Sequence, residues 1–267
     1  MAPASDPRLP LAVRLLTVAE VLVLAGASGF LLFAPALVQQ VWPWALTPFN
    51  TRFLGAVYAS AMIPVAAVLA FGRRRAARPG VLGIFLFTFV VLLVSFAYRE
   101  RFDSERWATA VWWALYVILP LSSGSQLLLG RRDQAPAGGA VGALRAHQAL
   151  AWLQMLYGAA LLVRPSLAGS FWPWPLDDFH GRLYSAAFLT GGVGALSVLR
   201  RGERRWLRVS GIGQAAFGLL ALGGLLVVDR AVHKVAWSAP GTWLWLGAFA
   251  LLALGGAALA LSGRKNR

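Results

Sequence analysis

Apolar runs of about 20 residues, separated by short polar stretches, dominate this chain. Coiled as helices, runs of that length match the hydrocarbon thickness of a bilayer. They fall at roughly 12–34, 53–71, 79–98, 107–129, 143–163, 183–199, 206–228 and 237–262. Backbone polar groups in lipid must be satisfied within the segment, so each run is expected to be an α-helix. Composition points the same way. The chain is 58% hydrophobic and 13% charged, where a soluble domain carries about 25% charged residues. Such hydrophobicity also excludes a disordered chain. The expected fold class is an all-α integral membrane protein with eight transmembrane helices.

A net charge of +15 raises the question of nucleic acid. The basic residues answer it by their distribution. They sit in short clusters between apolar runs, such as Arg73, Arg74, Arg75 and Arg78, or Arg200, Arg201, Arg204 and Arg205. No long basic face with interleaved aromatics is present, which excludes a nucleic-acid groove. With the N-terminus inside, the inner segments and span ends hold 17 of the 25 Lys and Arg residues, and the outer ones hold six of the ten acids. By the positive-inside rule both termini are expected to be cytoplasmic, in a plasma (inner) membrane. Only Lys234 and Lys265 are lysines, which suggests a GC-rich bacterial genome. The chain has no cysteine, so disulfides and thiolate-bound metals are excluded. Ala34-Pro35-Ala36 fits a signal-peptide cleavage site, but the first run is long for one, contains Glu20 and recurs in mid-chain. It is read as a retained span.

That recurrence divides the chain. The string Pro35…Trp42-Pro43-Trp44-x-Leu46-x-x-Phe49-x-x-Arg52 returns, at a constant offset of 130, as Pro165…Trp172-Pro173-Trp174-x-Leu176-x-x-Phe179-x-x-Arg182. Further matches at this offset include Arg74/Arg204, Phe87/Phe217, Trp107/Trp237, Trp113/Trp243 and Leu129/Leu259. The expected organisation is a tandem duplication: a first four-helix repeat over 1–132, a Gly/Ala-rich cytoplasmic linker over 133–143 and a second repeat over 144–267. Four spans are an even number, so the repeats are parallel and related by a pseudo-two-fold axis along the membrane normal. Glycines of the second repeat, such as Gly191-Gly192, Gly223-Gly224 and Gly255-Gly256, are read as close-packing positions.

Several residues stand out as candidate functional groups. Trp42, Trp44, Trp172 and Trp174 follow the first helix of each repeat on the outer side, where indoles suit the headgroup layer. Ten of the twelve Trp belong to that side, all but Trp152 and Trp206, so an aromatic face for a ligand or a partner subunit is expected there. Arg52 and Arg182 are the duplicated cations; the pseudo-symmetry could gather them near its axis to attract an anionic group, while the reading that leads is that each snorkels to the interface or pairs with a nearby acid. Glu20 is the intramembrane ionisable residue, costing about 2.5–3.5 kcal/mol if unpaired at the bilayer centre, with Arg14 or His147 as candidate partners. Asp177, His180 and His233 are weak metal-ligand candidates, since nothing in their spacing fixes a geometry.

Walker A, GxGxxG and GxSxG motifs are absent, and no catalytic triad or cofactor is identifiable. The leading expectation is a non-enzymatic membrane protein that binds an apolar or amphiphilic ligand, or a membrane partner, through the outer aromatic face. Membrane lipids, a membrane complex or a second copy are the expected partners. Two other readings stand beside it: a transporter with a midplane cavity between the repeats using Glu20, and a membrane enzyme with an outer Asp/His site.

Overall fold

Two helices, Pro48–Phe71 and Asp178–Arg201, begin at a side-chain cap rather than at the edge of their apolar runs. The computed structural model describes residues 6–130 and 145–262, and the 133–143 linker lies outside them. The described residues form α1 Leu11–Phe33, α2 Pro35–Val41, α3 Pro48–Phe71, α4 Arg74–Ala97, α5 Trp107–Leu129, α6 Arg145–Val163, α7 Pro165–Ala168, α8 Asp178–Arg201, α9 Arg204–Val232 and α10 Pro240–Ser262. Helix α3 starts five residues before its apolar run because the Thr47 side chain accepts the Asn50 N–H and Pro48 occupies the first turn. Asp177 does the same for the His180 N–H at the start of α8. Both helices then end on a glycine in the left-handed region, Gly72 (φ 60°) and Gly202 (φ 64°), where an L side chain is strained.

Seven helices, α1, α3, α4, α5, α8, α9 and α10, are long and apolar enough to cross a membrane. The sequence leads one to expect eight. The eighth, α6, does form, over 19 residues, but falls short in apolarity because it carries Arg145, His147, Gln148 and Gln154.

The packing interlocks the first half of the chain with the second. Helix α1 lies on α3 as α6 lies on α8, and α4 on α5 as α9 on α10; across the halves, α3 packs on α9 and α4 on α8. Lipid tails are as apolar as leucine, so close packing rather than hydrophobic burial must hold these helices together. Small residues allow it. Gly192 faces the α6 backbone at Ala151 and Met155, and Gly218 and Gly256 bring α9 and α10 into backbone contact. One glycine read from the sequence as a packing position is not: Gly223 faces open space.

The last helix corrects the sequence alignment. Trp112 of α5 packs on Trp42 and Trp44 at 6.2 and 4.7 Å. The residue placed likewise on Trp172 and Trp174 is Trp245 of α10, at 6.0 and 5.5 Å. That is three residues beyond an offset of 130, because α9 runs to 29 residues where α4 has 24. The matches Trp107/Trp237, Trp113/Trp243 and Leu129/Leu259 therefore do not pair equivalent places. Trp237 lies in the loop before α10, whereas Trp107 begins α5.

Candidate functional site

A proline opens each short helix ahead of the Trp-Pro-Trp strings, Pro35 for α2 and Pro165 for α7, and the loop that follows folds inward over the bundle end. All four indoles are consequently in the interior: Trp42, Trp44, Trp172 and Trp174 are 9%, 3%, 7% and 5% exposed. They do not present the outward aromatic surface expected of them. The aromatics that do face outward are others, among them Phe33, Trp107 and Trp243.

The second Trp of each string reaches across to the other half. Trp44 Nε1 donates to His180 Nε2 at 3.1 Å, and Trp174 Nε1 donates to Asn50 Oδ1 at 3.0 Å. Asn50 and His180 are separated by the same offset of 130, so the two bonds are exchanged between like positions. Ring contacts repeat the exchange, with Trp44 on Phe179 at 5.2 Å and Trp174 on Phe49 at 5.3 Å.

The first Trp of each string marks where the halves differ. Trp172 Nε1 donates to the Tyr157 hydroxyl at 2.6 Å. Trp42 Nε1 is buried and has no partner among the described residues. At the offset of 130, the place of Tyr157 belongs to Ala27. Trp42 and Ala27 instead line a cavity of about 590 Å³ walled by α1–α5, with Thr190 of α8 also contributing. In the second half the Tyr157 ring fills the corresponding place and packs on Phe188 at 5.0 Å.

Glu20 lies on the cavity wall, 7% exposed, with no ion pair to Arg14 or His147 among the described residues. His147 faces the Gly255 carbonyl at 3.2 Å instead. Two hydroxyls on the same wall, Tyr58 and Tyr116, hydrogen-bond each other at 3.1 Å. Sequence reasoning passed over Ala27, Tyr58 and Tyr116. Their signal was the mismatch between halves, Ala27 against Tyr157 and Tyr58 against Phe188, rather than the matches.

The duplicated arginines take separate partners. Arg52 donates to the Leu31 carbonyl at 3.3 Å, which ties α3 to α1. Arg182 donates to the Tyr98 hydroxyl and, at 3.3 Å, to Asp178.

The metal candidates are engaged elsewhere. An indole N–H can only donate, so His180 Nε2 must accept from Trp44, which places the ring proton on Nδ1 facing Asp177 Oδ2 at 2.6 Å. Both ring nitrogens are thus committed. His233 terminates α9 in the left-handed region (φ 48°), while Asp229 accepts from the Val235 backbone and Trp237 Nε1, both at 2.8 Å. Among the described residues no three His, Asp or Glu side chains converge as a metal would need.

Burial opposes ionisation of Asp177, but hydrogen bonds from His180 outweigh it and hold the carboxyl down at about 2. Its contribution to stability is complete above the ordinary carboxylate value of about 3.9 and is lost as pH falls towards about 2. Thermal melts in detergent should therefore decline across that window more steeply for the native chain than for Asp177→Asn. Parallel curves would show that this carboxylate contributes nothing.

Comparison with known protein families, curated proteins and solved structures gives no match.

Proposed function

We propose that this chain is a multi-pass membrane protein that binds an apolar or amphiphilic small molecule in the α1–α5 cavity, without catalysis. The observation that carries the reading is that cavity of about 590 Å³, apolar over most of its wall, with one carboxyl and a buried indole N–H that has no partner among the described residues. Its volume falls in the range of about 300–1,000 Å³ usual for ligand sites. Exposed apolar side chains of α1 and α5, Phe30 and Trp107 among them, rim it on the side that lipid would cover.

The surrounding architecture is read as a duplication of a four-helix unit with α6 as the eighth span. Shared caps, shared glycine ends and the exchanged Trp44 and Trp174 bonds support it. Counting basic residues then puts both termini in the cytoplasm of a bacterial inner membrane and the Trp42 end of the cavity on the outer side.

Glu20 favours a second reading, in which the cavity belongs to a proton- or ion-coupled transporter. Native mass spectrometry of the chain extracted from its own membrane in mild detergent tests both. A discrete small-molecule adduct is expected, and it should survive Glu20→Gln under the binding reading. A chain that carries only a stoichiometric protein partner and takes up no apolar compound would overturn the small-molecule reading. Substrate movement in vesicles that Glu20→Gln abolishes would replace it with the transporter.

A further inference from the structure

The two halves differ most where the cavity lies, and the difference describes what fits there. In the second half the Tyr157 phenol accepts the Trp172 N–H and packs on Phe171 and Phe188 at 5.7 and 5.0 Å. In the first half the corresponding helix position is Ala27, the ring is missing, and the Trp42 N–H has no acceptor among the described residues. The backbone around the two positions is the same. Helices α1 and α6 both give way seven residues later, at Ala34 (φ −132°, ψ 56°) and Arg164 (φ −132°, ψ 65°), and a proline opens the next helix. A buried donor without an acceptor is costly, so an occupant that supplies one is favoured over an inert filler.

We propose that the cavity takes a membrane-soluble compound with an oxygenated six-membered ring, a phenol or quinone head on an apolar tail. This rests on the cavity-binding reading above and names its ligand class. The ring stands where Tyr157 stands in the other half, and its oxygen accepts the Trp42 N–H. The second face of the ring lies towards Glu20 and the Tyr58–Tyr116 hydroxyl pair, which are further polar groups on that wall. The tail leaves between α1 and α5, past Phe30, Val111 and Trp107, which are 55%, 41% and 67% exposed. Entry is therefore lateral, from the bilayer.

The test compares a decyl-substituted 1,4-benzoquinone with decylbenzene, each presented to the full chain in phosphatidylcholine nanodiscs, with retained compound measured by mass spectrometry. The native chain is expected to retain the benzoquinone about tenfold more tightly, the worth of one well-made hydrogen bond. Trp42→Phe keeps an aromatic ring but removes the N–H, and should bring the benzoquinone to the level at which the same variant retains decylbenzene. Ala27→Tyr rebuilds the second half's plug and should lose both compounds while melting no lower than the native chain. If the native chain retains the two compounds equally and Ala27→Tyr loses both, the ring-oxygen assignment is overturned and the apolar cavity stands. If neither is retained, both fall. Should Ala27→Tyr fail to fold, the Trp42→Phe comparison decides the assignment alone.

Discussion

Gly218→Leu is expected to push α9 away from α10 and cost roughly 3 kcal/mol, the upper end of ordinary overpacking. A Cβ at this position would stand 2.6 Å from the Phe249 carbonyl oxygen and 2.7 Å from the Ala253 nitrogen. Both are backbone atoms, which cannot swing aside as a side chain would. Gly256, on the facing helix, is just as confined, with the Ala215 nitrogen at 2.5 Å. In a bilayer no hydrophobic force drives the two helices back together once separated, so the lost contacts are not regained elsewhere. Gly223→Ala, on the same helix but facing open space, should change stability by no more than about 0.5 kcal/mol. Melting temperatures of the purified variants check both, and a Gly218→Leu protein that melts with the native chain would show that α9 and α10 do not meet there.

Trp44→Ala is expected to cost about 3–5 kcal/mol, the range for emptying a large aromatic site. The indole is 3% exposed and packs against Trp42, Phe102, Trp112 and Phe179, with centroids 4.7–5.6 Å away. Its removal also leaves His180 Nε2 without its donor. Trp243→Ala provides the contrast. That indole is 61% exposed, and its loss should be close to neutral if exposed tryptophans serve only the interface. His180→Asn should be tolerated far better than His180→Leu, because Asn50 already satisfies Trp174 from the equivalent position. Equal losses from Trp44→Ala and Trp243→Ala in denaturation would reduce the Trp-Pro-Trp strings to surface anchors.

Hydropathy made the helices legible, and seven of the eight runs are helices apolar enough to span. Their ends were less so, since an apolar run stops at its first polar residue whereas α3 and α8 continue back to Thr47 and Asp177. Repetition pointed to Trp44, Trp174, Asn50 and His180 as like positions but not to their meeting across the halves. A match in sequence does not say which partner a side chain finds. The indoles were misplaced for a physical reason: tryptophan suits both a headgroup layer and a packed interior, and composition cannot tell an outward loop from one folded inward. The cavity was hidden because it arises from what Ala27 lacks, and absent volume leaves no mark on periodicity. Glu20 was visible as an anomaly, and the structure adds the empty space beside it.

The exchanged bonds also set the order of events as the chain is made. When residues up to 130 have entered the bilayer, Trp44 and Asn50 are in place but their partners, His180 and Trp174, have yet to be synthesised. The early half therefore waits in lipid with an indole and an amide unsatisfied, and α3 and α4 wait without α9 and α8. Neither bond can close until residues 174–180 have been made, so the first half reaches its final packing only with the second.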